Sequence, residues 1–420
     1  MKKVLVFPCG SEIGLEIYRS LEWSKDFEIY GASSVNDHGR FVYNNYIHGI
    51  PFVNNVNFIN SINKVIQQYK IDFIFPSHDS VLLKLIQNKN KIKATIIGSQ
   101  LKTCEICRSK KKTYSFFKNI LKTPHIYNLN DKLLFPIFLK PEIGQGSKGA
   151  LIANDLEEVK LALKKDPTLL ILEYLPGKEY TVDCFTNSSG ELLFAQGRER
   201  RRIVNGISVN SFPVEKLIFF EIAKKINKSL NFRGVWFFQL KEDEKGILTL
   251  LEIAPRVAGT MALPRTQGIN LPLLSLYDFM NTKVSITKND FSIEIDRALY
   301  AKYKTNIKYE NVYIDLDDTL IFKERINTVL ISFIYQCLNK GKKIFLITKH
   351  KENVKKTLNI YKISHNIFSE IINLPITGNK YKFVRKNSIF IDDSFSERQS
   401  VINKNKVPVF SVNEIECLLD

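Results

Sequence analysis

The sequence predicts an α/β protein of three domains, and three observations lead to this prediction. Strands alternate with helices over residues 1–101, which indicates a parallel sheet. Residues 102–304 have a different pattern, in which a strand leads into a glycine-rich loop and a hairpin follows. The alternation restarts over residues 309–420. A chain of 420 residues is also too long for one ordinary core.

Composition restricts the class of protein. Hydrophobic residues make up 44% and charged residues 25%, as in globular proteins, and the chain lacks an apolar run long enough for a membrane span. Six cysteines are scattered, and the CxxC at Cys104 and Cys107 has no second pair or histidines to complete a zinc site. We therefore expect a cytoplasmic protein whose cysteines are reduced.

Charge predicts anionic partners, since the net charge is +18. Lysines are spread along every segment, however, and there is no basic tail. Nucleotide phosphates would account for part of this charge, and nucleic acid is not an expected partner.

Residues 1–101 read as four strands, "KKVLVFP", "FEIYGAS", "IDFIFPS" and "KATIIGS", with helices between the first three. Gly10 and Gly14 flank the first turn but do not form GxGxxG, which favours a close approach of substrate or neighbouring domain over a dinucleotide site. His78 and Asp79 follow the end of a strand, where α/β sheets place ligands. A helix N-cap is an equally good interpretation of Asp79.

Residues 102–304 begin with a basic helix, "CRSKKKTYSFFKNILKTP". A strand then delivers Lys140 to a loop with Gly144, Gly146 and Gly149, and this combination suits a phosphate. A plain hairpin turn with solvated charges is the alternative. Further on, a hairpin with a two-residue turn at Lys245 and Gly246 would place Gln239 opposite Glu252, where their oxygens could bind Mg²⁺.

These segments, in this order, resemble the ATP-grasp proteins of the carbamoyl-phosphate-synthetase-like group, over residues 1 to about 304. The resemblance implies a parallel α/β pre-ATP-grasp domain over 1–101 and an α+β ATP-grasp domain over 102–304. It implies ATP and Mg²⁺, with Mn²⁺ as an alternative metal, and a carboxylate activated as an acyl phosphate that an amine attacks. The implied site residues are Lys110 and Lys140 for the phosphates, Gln145, Gly146, Ser147 and Lys148 for the mobile loop, Glu173, Tyr174 and Leu175 for adenine, Glu179 for ribose, Gln239 and Glu252 for Mg²⁺, and Arg256 for the transferred phosphoryl group.

Two residues depart from the family pattern. Ala254 replaces an asparagine that would supply a further oxygen to the metal, so a water would take its place or a second metal would bind more weakly. Glu142 stands where relatives often have a basic residue. Arginines at 198, 200, 201, 202 and 265 could fork onto a carboxylate or phosphate substrate, or they could simply be solvated.

The strands predicted over residues 309–420 end in polar residues: Asp315 and Asp317, then Thr348, then Asp392 and Asp393. Parallel strands would gather these side chains at one edge of a sheet. Carboxylates that meet there would repel one another unless a cation joined them, and Mg²⁺ fits oxygen ligands.

This part resembles the haloacid-dehalogenase-like hydrolases, through the DxDxT run at Asp315, Asp317 and Thr319 and the later "IDDS". The resemblance implies a Rossmann-like domain, and the intervals of about 30 residues leave no room for a cap domain. Asp318 is expected to be solvated or capping. The implied roles are nucleophile for Asp315, general acid/base for Asp317, phosphoryl binding for Thr348 and Lys380 (with Lys382 as a rival), and Mg²⁺ binding for Asp315, Asp317, Asp392 and Asp393.

The sequence thus predicts a bifunctional enzyme, a ligase joined to a phosphatase-type domain. Its expected partners are a small carboxylate and an amine, or a phosphorylated metabolite, and a homodimer is left open. The alternatives are an ATP-grasp kinase or synthetase with a degenerate second site, and a nucleotide-binding regulatory module.

Overall fold

The structure is a computed structural model that describes residues 1–144, 146 and 148–420. These residues form two compact units, Met1–Leu299 and Tyr300–Asp420. Across the described residues, every helix is too short or too polar to cross a membrane. The division of the first unit at residue 101 stays a prediction.

The chain begins with a parallel sheet, as predicted. Along its central strand, Val4 and Val6 enter one core while Leu5 and Phe7 enter another on the opposite face, which explains the unbroken apolar run. The strand at Asn45–Ile47 was not predicted, because it is only partly buried and has no apolar run. The sheet has the order β3-β2-β1-β4-β5, and its elements are β1 (Lys2–Phe7), α1 (Glu12–Leu21), β2 (Phe27–Ala32), α2 (Gly39–Val42), β3 (Asn45–Ile47), α3 (Phe58–Tyr69), β4 (Phe73–Pro76), α4 (Asp79–Gln87) and β5 (Thr95–Ile96).

The first turn is shaped by packing within this sheet. A Cβ on Gly14 would lie 2.4 Å from the carbonyl oxygen of Cys9, so the glycine allows α1 to approach the end of β1. His78, not Asp79, is the N-cap of α4, because its side chain accepts from the backbone N–H of Ser80.

The basic segment that follows is two helices, not the one predicted. Ser109 has an extended backbone between them, and its hydroxyl accepts from the N–H of Lys112 at 3.0 Å to cap the second helix. Cys104 and Cys107 both lie in the first of these two helices, and both are buried. An antiparallel sheet of order β6-β9-β7-β8 follows, and the elements are α5 (Leu101–Arg108), α6 (Lys110–Phe117), β6 (Ile126–Tyr127), β7 (Ile137–Pro141), β8 (Leu151–Ala153), α7 (Leu156–Lys165) and β9 (Leu169–Glu173).

A larger antiparallel sheet completes the first unit. Tyr180, Val182, Trp236 and Phe238 alternate onto one face and share a core with the helix Leu217–Ser229, so the residues between them point to the other face. The sheet has the order β14-β13-β10-β11-β12-β15, and the elements are β10 (Glu179–Thr186), β11 (Leu192–Val204), β12 (Ile207–Val214), α8 (Leu217–Ser229), β13 (Gly234–Glu242), β14 (Leu248–Ala254), α9 (Ala262–Thr266), α10 (Leu271–Phe279) and β15 (Ile295–Asp296).

The second unit has one parallel sheet, of order β20-β19-β16-β21-β22, and a small hairpin. The four predicted strands are present, while Glu370–Asn373 and the hairpin were missed because they are short and partly exposed. Within residues 300–420, all of which are described, this hairpin is the only element between the strand Asn311–Ile314 and the helix Thr328–Asn339. The elements are β16 (Asn311–Ile314), β17 (Ile321–Phe322), β18 (Arg325–Ile326), α11 (Thr328–Asn339), β19 (Lys343–Thr348), α12 (Val354–Ile360), β20 (Glu370–Asn373), β21 (Ser388–Ile391), α13 (Phe395–Asn405) and β22 (Val409–Phe410).

Candidate functional site

Gln239 and Glu252 lie at the centre of the first site. They are directly opposite each other on β13 and β14, as predicted. Ala254 follows two residues later on the same face and is 5% exposed within an apolar core. The pair therefore offers an amide oxygen and a carboxylate, and the third position of the face offers no oxygen.

The reason for this register differs from the prediction. The turn is longer than two residues, since the N–H of Asp243 donates to the carbonyl of Ile247 at 3.0 Å. Glu242 consequently pairs with Leu248, and an irregularity between Gln239 and Leu240 restores the predicted alignment.

Residues from distant segments line one pocket around this pair. Most of the predicted nucleotide and metal residues are among them, although Glu173, Tyr174, Leu175 and Arg256 are not. Arg200, considered from the sequence as a fork for a carboxylate or phosphate substrate, also lines this pocket. The lining residues are Lys110, Phe138, Lys140, Pro141, Gly144, Gly146, Lys148, Ala150, Glu179, Arg200, Gly206, Gln239, Leu251 and Glu252.

Lys140 is a buried cation of the pocket, at 9% exposure. Burial lowers the pKa of Lys140 to about 8, although the charges of Glu252 and Glu179 oppose this shift. Lys110 is also held with its pKa below the usual value by burial, and its Nζ lies 3.4 Å from the carbonyl oxygen of Gly144. Two partly desolvated ammonium groups therefore face the loop, where an anion would relieve their cost.

The loop after β7 is turned by glycines. Gly146 has φ +63° and Gly149 has φ +74°, conformations that L side chains rarely adopt. Glu142, the departure from the family pattern, accepts from the hydroxyl of Ser109 and ties the start of the loop to α6. Gln145 and Ser147, predicted to cover the phosphates, lie outside the described residues.

Glu179 is held by Arg200. Nη1 of Arg200 lies 2.8 Å from Oε1 of Glu179, and Nη2 donates to the carbonyl of Gly206 at 2.8 Å. Arg200 is 9% exposed, and its Nε has no hydrogen-bond partner among the described residues. The predicted ribose residue is thus fixed beside a buried guanidinium with a free donor.

The predicted adenine segment connects β9 to β10. The backbone N–H of His125, the residue before β6, donates to Oε2 of Glu173 at 3.2 Å. The Glu173 carboxylate therefore already has a partner within the chain. Leu175 is 5% exposed, and Tyr174 lies near Lys241, whose Nζ is 6.0 Å from its ring centroid.

Arg256 is placed differently from the prediction. Its guanidinium forks onto Asp79 of α4, with Nε 2.7 Å and Nη2 2.8 Å from the two carboxylate oxygens, and Nη1 donates to the carbonyl of Val257. Arg256 is 9% exposed. A role at the transferred phosphoryl group stays a prediction, and it would require the guanidinium to share its donors with Asp79.

Asp79→Ala is expected to lower the free energy of unfolding by about 3 kcal/mol or more, because it leaves a buried guanidinium without its carboxylate. Urea unfolding of the full-length chain measures this. The double variant D79A/R256M removes both charges and should recover much of the loss. A cost below about 1 kcal/mol for the single variant would show that water replaces the ion pair.

The other arginines considered as substrate forks are each paired within the chain. Arg198 is buried with Asp183 at 2.8 Å, and Arg265 lies 2.7 Å from Glu16 of α1. Arg201 and Arg202 pair with exposed acids of the segment around β15.

In the second unit, Lys380 joins two of the predicted acids. Its Nζ lies 2.7 Å from Oδ1 of Asp315 and 2.7 Å from Oδ2 of Asp392. All three are at most 5% exposed, and burial raises the pKa of Asp315 to about 7 against the opposing charge of Lys380. The rival Lys382 is exposed, so the turn between β20 and β21 brings Lys380 to the acids.

Asp393 completes a carboxylate cluster with Asp315 and Asp392, whose oxygens lie within 4.8 Å of one another. The backbone N–H of Asp393 donates to Oγ1 of Thr319 at 2.9 Å, which explains the threonine of the DxDxT run. Oγ1 of Thr348 is buried and has no hydrogen-bond partner among the described residues. The donor set of three carboxylate oxygens fits Mg²⁺.

Asp317 lies apart from this cluster. Its carboxylate contacts Nδ1 of His350 at 2.9 Å, a partner that the sequence did not indicate. Asp318 is exposed and has φ +57°, so it serves the turn, as expected.

Comparisons with known proteins bear on the first unit. Residues 165–298 match a family model described as ATP-grasp in the biosynthetic pathway with Ter operon. The carbamoyl phosphate synthase large chain of Clostridium botulinum is 26% identical over 182 residues, which cover 40% of this chain and 16% of that protein. The D-alanine–D-alanine ligase of Fusobacterium nucleatum is 29% identical over 211 residues, or 46% of this chain and 70% of that one.

Solved structures share the fold. The biotin carboxylase domain of Hydrogenobacter thermophilus 2-oxoglutarate carboxylase, with MgADP and bicarbonate, has a TM-score of 0.56 at 15% identity, covering 68% of this chain and 71% of that chain. N5-carboxyaminoimidazole synthetase of Staphylococcus aureus with ADP also gives 0.56 at 15% identity, covering 69% and 78%. The chain spans about a sixth of the carbamoyl phosphate synthase that it matches. These matches confirm the ATP-grasp-like fold that the sequence predicted for the first part of the chain.

Proposed function

We propose that this chain is a bifunctional enzyme, with an ATP- and Mg²⁺-dependent ligase site in residues 102–304 and a Mg²⁺-dependent phosphatase-type site in residues 309–420. The observation that carries the ligase proposal is the convergence of Lys110, Lys140, Gln239 and Glu252 on one pocket. D-alanine–D-alanine ligase is a relative whose name describes ligation.

In the ligase site, Lys110 and Lys140 would bind the phosphates of ATP, and their burial makes each charge more effective. Glu179 would bind ribose, with Glu173, Tyr174 and Leu175 at the adenine. Gln239 and Glu252 would hold Mg²⁺, with water where Ala254 supplies no oxygen; Mn²⁺ suits the same ligands. The bound metal neutralises phosphate charge, so the chain's own residues have mainly to orient the carboxylate and the amine.

In the phosphatase-type site, Asp315 would attack phosphorus while Lys380 and Thr348 bind the phosphoryl oxygens. The unpartnered hydroxyl of Thr348 supports this role, because a buried donor without an acceptor is costly until a ligand arrives. Asp315, Asp392 and Asp393 would hold Mg²⁺. Within residues 300–420 the site has no cap domain, and we propose that a small phosphorylated metabolite enters it, one that the ligase site also uses.

The ion pair between Arg256 and Asp79 favours a second candidate, a regulatory module that binds nucleotide without turnover. Ala254 supports the same candidate. Cytoplasmic location and a homodimer stay predictions.

The test uses purified full-length protein with ATP, Mg²⁺ and mixtures of carboxylates and amines. Ligase function predicts ADP formation that depends on the mixture. Tight ATP binding without ADP in any mixture would favour the regulatory module, and AMP in place of ADP would contradict the ATP-grasp assignment. A generic aryl phosphate should be hydrolysed slowly by the second site.

A further inference from the structure

His350 makes two contacts that the proposed phosphatase function does not yet explain. Its Nδ1 lies 2.9 and 3.0 Å from the two carboxylate oxygens of Asp317, and its Nε2 lies 2.8 Å from Oγ1 of Thr357 on α12. A carboxylate only accepts, so Nδ1 carries a proton, and in the neutral ring Nε2 accepts from the threonine hydroxyl. The imidazole is therefore fixed at both of its nitrogens.

The two partners differ in exposure. The side chain of Asp317 is 51% exposed, whereas that of His350 is 15% exposed. An exposed carboxylate on a turn ordinarily loses rotamer freedom when it is held in one place, so an anchored partner is needed to keep it there. Thr357 supplies that anchor, because it fixes the histidine from a helix.

We propose that His350 is a positioning residue that holds the Asp317 carboxyl group, two residues beyond the nucleophile, and that this suits the site to alkyl phosphate monoesters. The inference rests on the proposed phosphatase function. It assigns to that site the phosphate esters whose leaving group is a basic alkoxide.

The chemistry gives the reason. An oxygen of Asp315 forms a bond to phosphorus while the ester P–O bond breaks, and the departing alkoxide takes a proton from the carboxyl group of Asp317. Water then attacks phosphorus, Asp317 takes one proton from that water, and the P–O bond to Asp315 breaks to release phosphate. Because Nδ1 of His350 contacts both oxygens of Asp317, one oxygen can carry the proton while the other keeps its contact with the ring.

An alkoxide is too basic to leave without that proton, whereas a nitrophenolate leaves unaided. Misplacing Asp317 should therefore slow the cleavage of an alkyl ester much more than that of an activated aryl ester. A residue that only stabilises the fold would slow both alike.

The experiment measures kcat and KM of the full-length chain on p-nitrophenyl phosphate and on glycerol 3-phosphate, by release of nitrophenol and glycerol. His350→Ala is expected to lower kcat on the alkyl ester by about 10- to 100-fold and on the aryl ester by less than about threefold. His350→Asn places an amide nitrogen near the position of Nδ1 and should recover most of the alkyl rate. His350→Gln places its nitrogen near the position of Nε2 and should not.

His365→Ala is the matched control, since His365 is an exposed histidine of the same unit. Equal losses on both esters, or an Asn variant no better than the Gln variant, would overturn the inference. If His350→Ala does not fold, the comparison of Asn with Gln still decides. If the wild type hydrolyses neither ester, or Asp315→Asn hydrolyses both like the wild type, the phosphatase function itself fails and the inference falls with it.

Discussion

Asp315→Asn is expected to abolish phosphate-ester hydrolysis by the full-length chain, with kcat lowered at least about a thousandfold. The amide keeps the shape of the side chain and a contact to Lys380, but it cannot form the aspartyl-phosphate. The measurement is the release of nitrophenol from p-nitrophenyl phosphate. Orthophosphate is not a suitable readout, because ligation would release it as well.

Asp318→Asn provides the matched control for this variant. It makes the same chemical change three residues away, on an exposed side chain whose φ of +57° asparagine readily adopts. Its rate should stay near that of the wild type. Hydrolysis by Asp315→Asn within about tenfold of the wild type would contradict the role of Asp315 as nucleophile.

Lys140→Met is expected to raise the Kd for MgATP about 10- to 100-fold, because a buried charge-assisted contact to phosphate is lost. Calorimetric titration of nucleotide measures this without knowledge of the other substrates. Lys165→Met, on an exposed position of α7, is the control and should bind like the wild type. Unchanged affinity in Lys140→Met would contradict the placement of the phosphates in this pocket.

Lys140→Met should weaken nucleotide binding without lowering the stability of the folded chain. The pKa of Lys140 is about 8 in the folded chain against an ordinary value of 10.5, so the protonated form favours unfolding. This penalty, on the order of 3 kcal/mol, is complete below pH 8 and disappears as the pH rises toward 10.5. Lys140→Met removes the charge, and urea unfolding at pH 7 should show it to be at least as stable as the wild type.

Apolar runs made the strands of both parallel sheets predictable, since each central strand is buried on two faces. The strands Asn45–Ile47 and Glu370–Asn373 were not predicted, because they are recognised by their pairing with a neighbouring strand and not by their composition. The break between the two helices at Ser109 was also missed. A serine within a basic helical pattern is compatible with a continuous helix, so the sequence alone did not show that Ser109 caps a second one.

The candidate sites were predictable where residue type implies chemistry. Asp315, Lys380 and Asp392 meet as expected, and Gln239 faces Glu252 although the assumed turn was wrong. Long-range partners were not predictable. No spacing links Arg256 to Asp79 across 177 positions, and no pattern shows that His350 rather than a metal would receive Asp317.

The claim that one chain carries two separate active sites is tested most directly by measuring two products in one reaction. Wild type, Lys140→Met and Asp315→Asn are each given ATP, Mg²⁺, mixed carboxylates and amines, and p-nitrophenyl phosphate, and ADP and nitrophenol are quantified. The structure predicts that Lys140→Met loses only ADP formation and that Asp315→Asn loses only nitrophenol release. A single variant that loses both products, or two variants that each keep both, would contradict it.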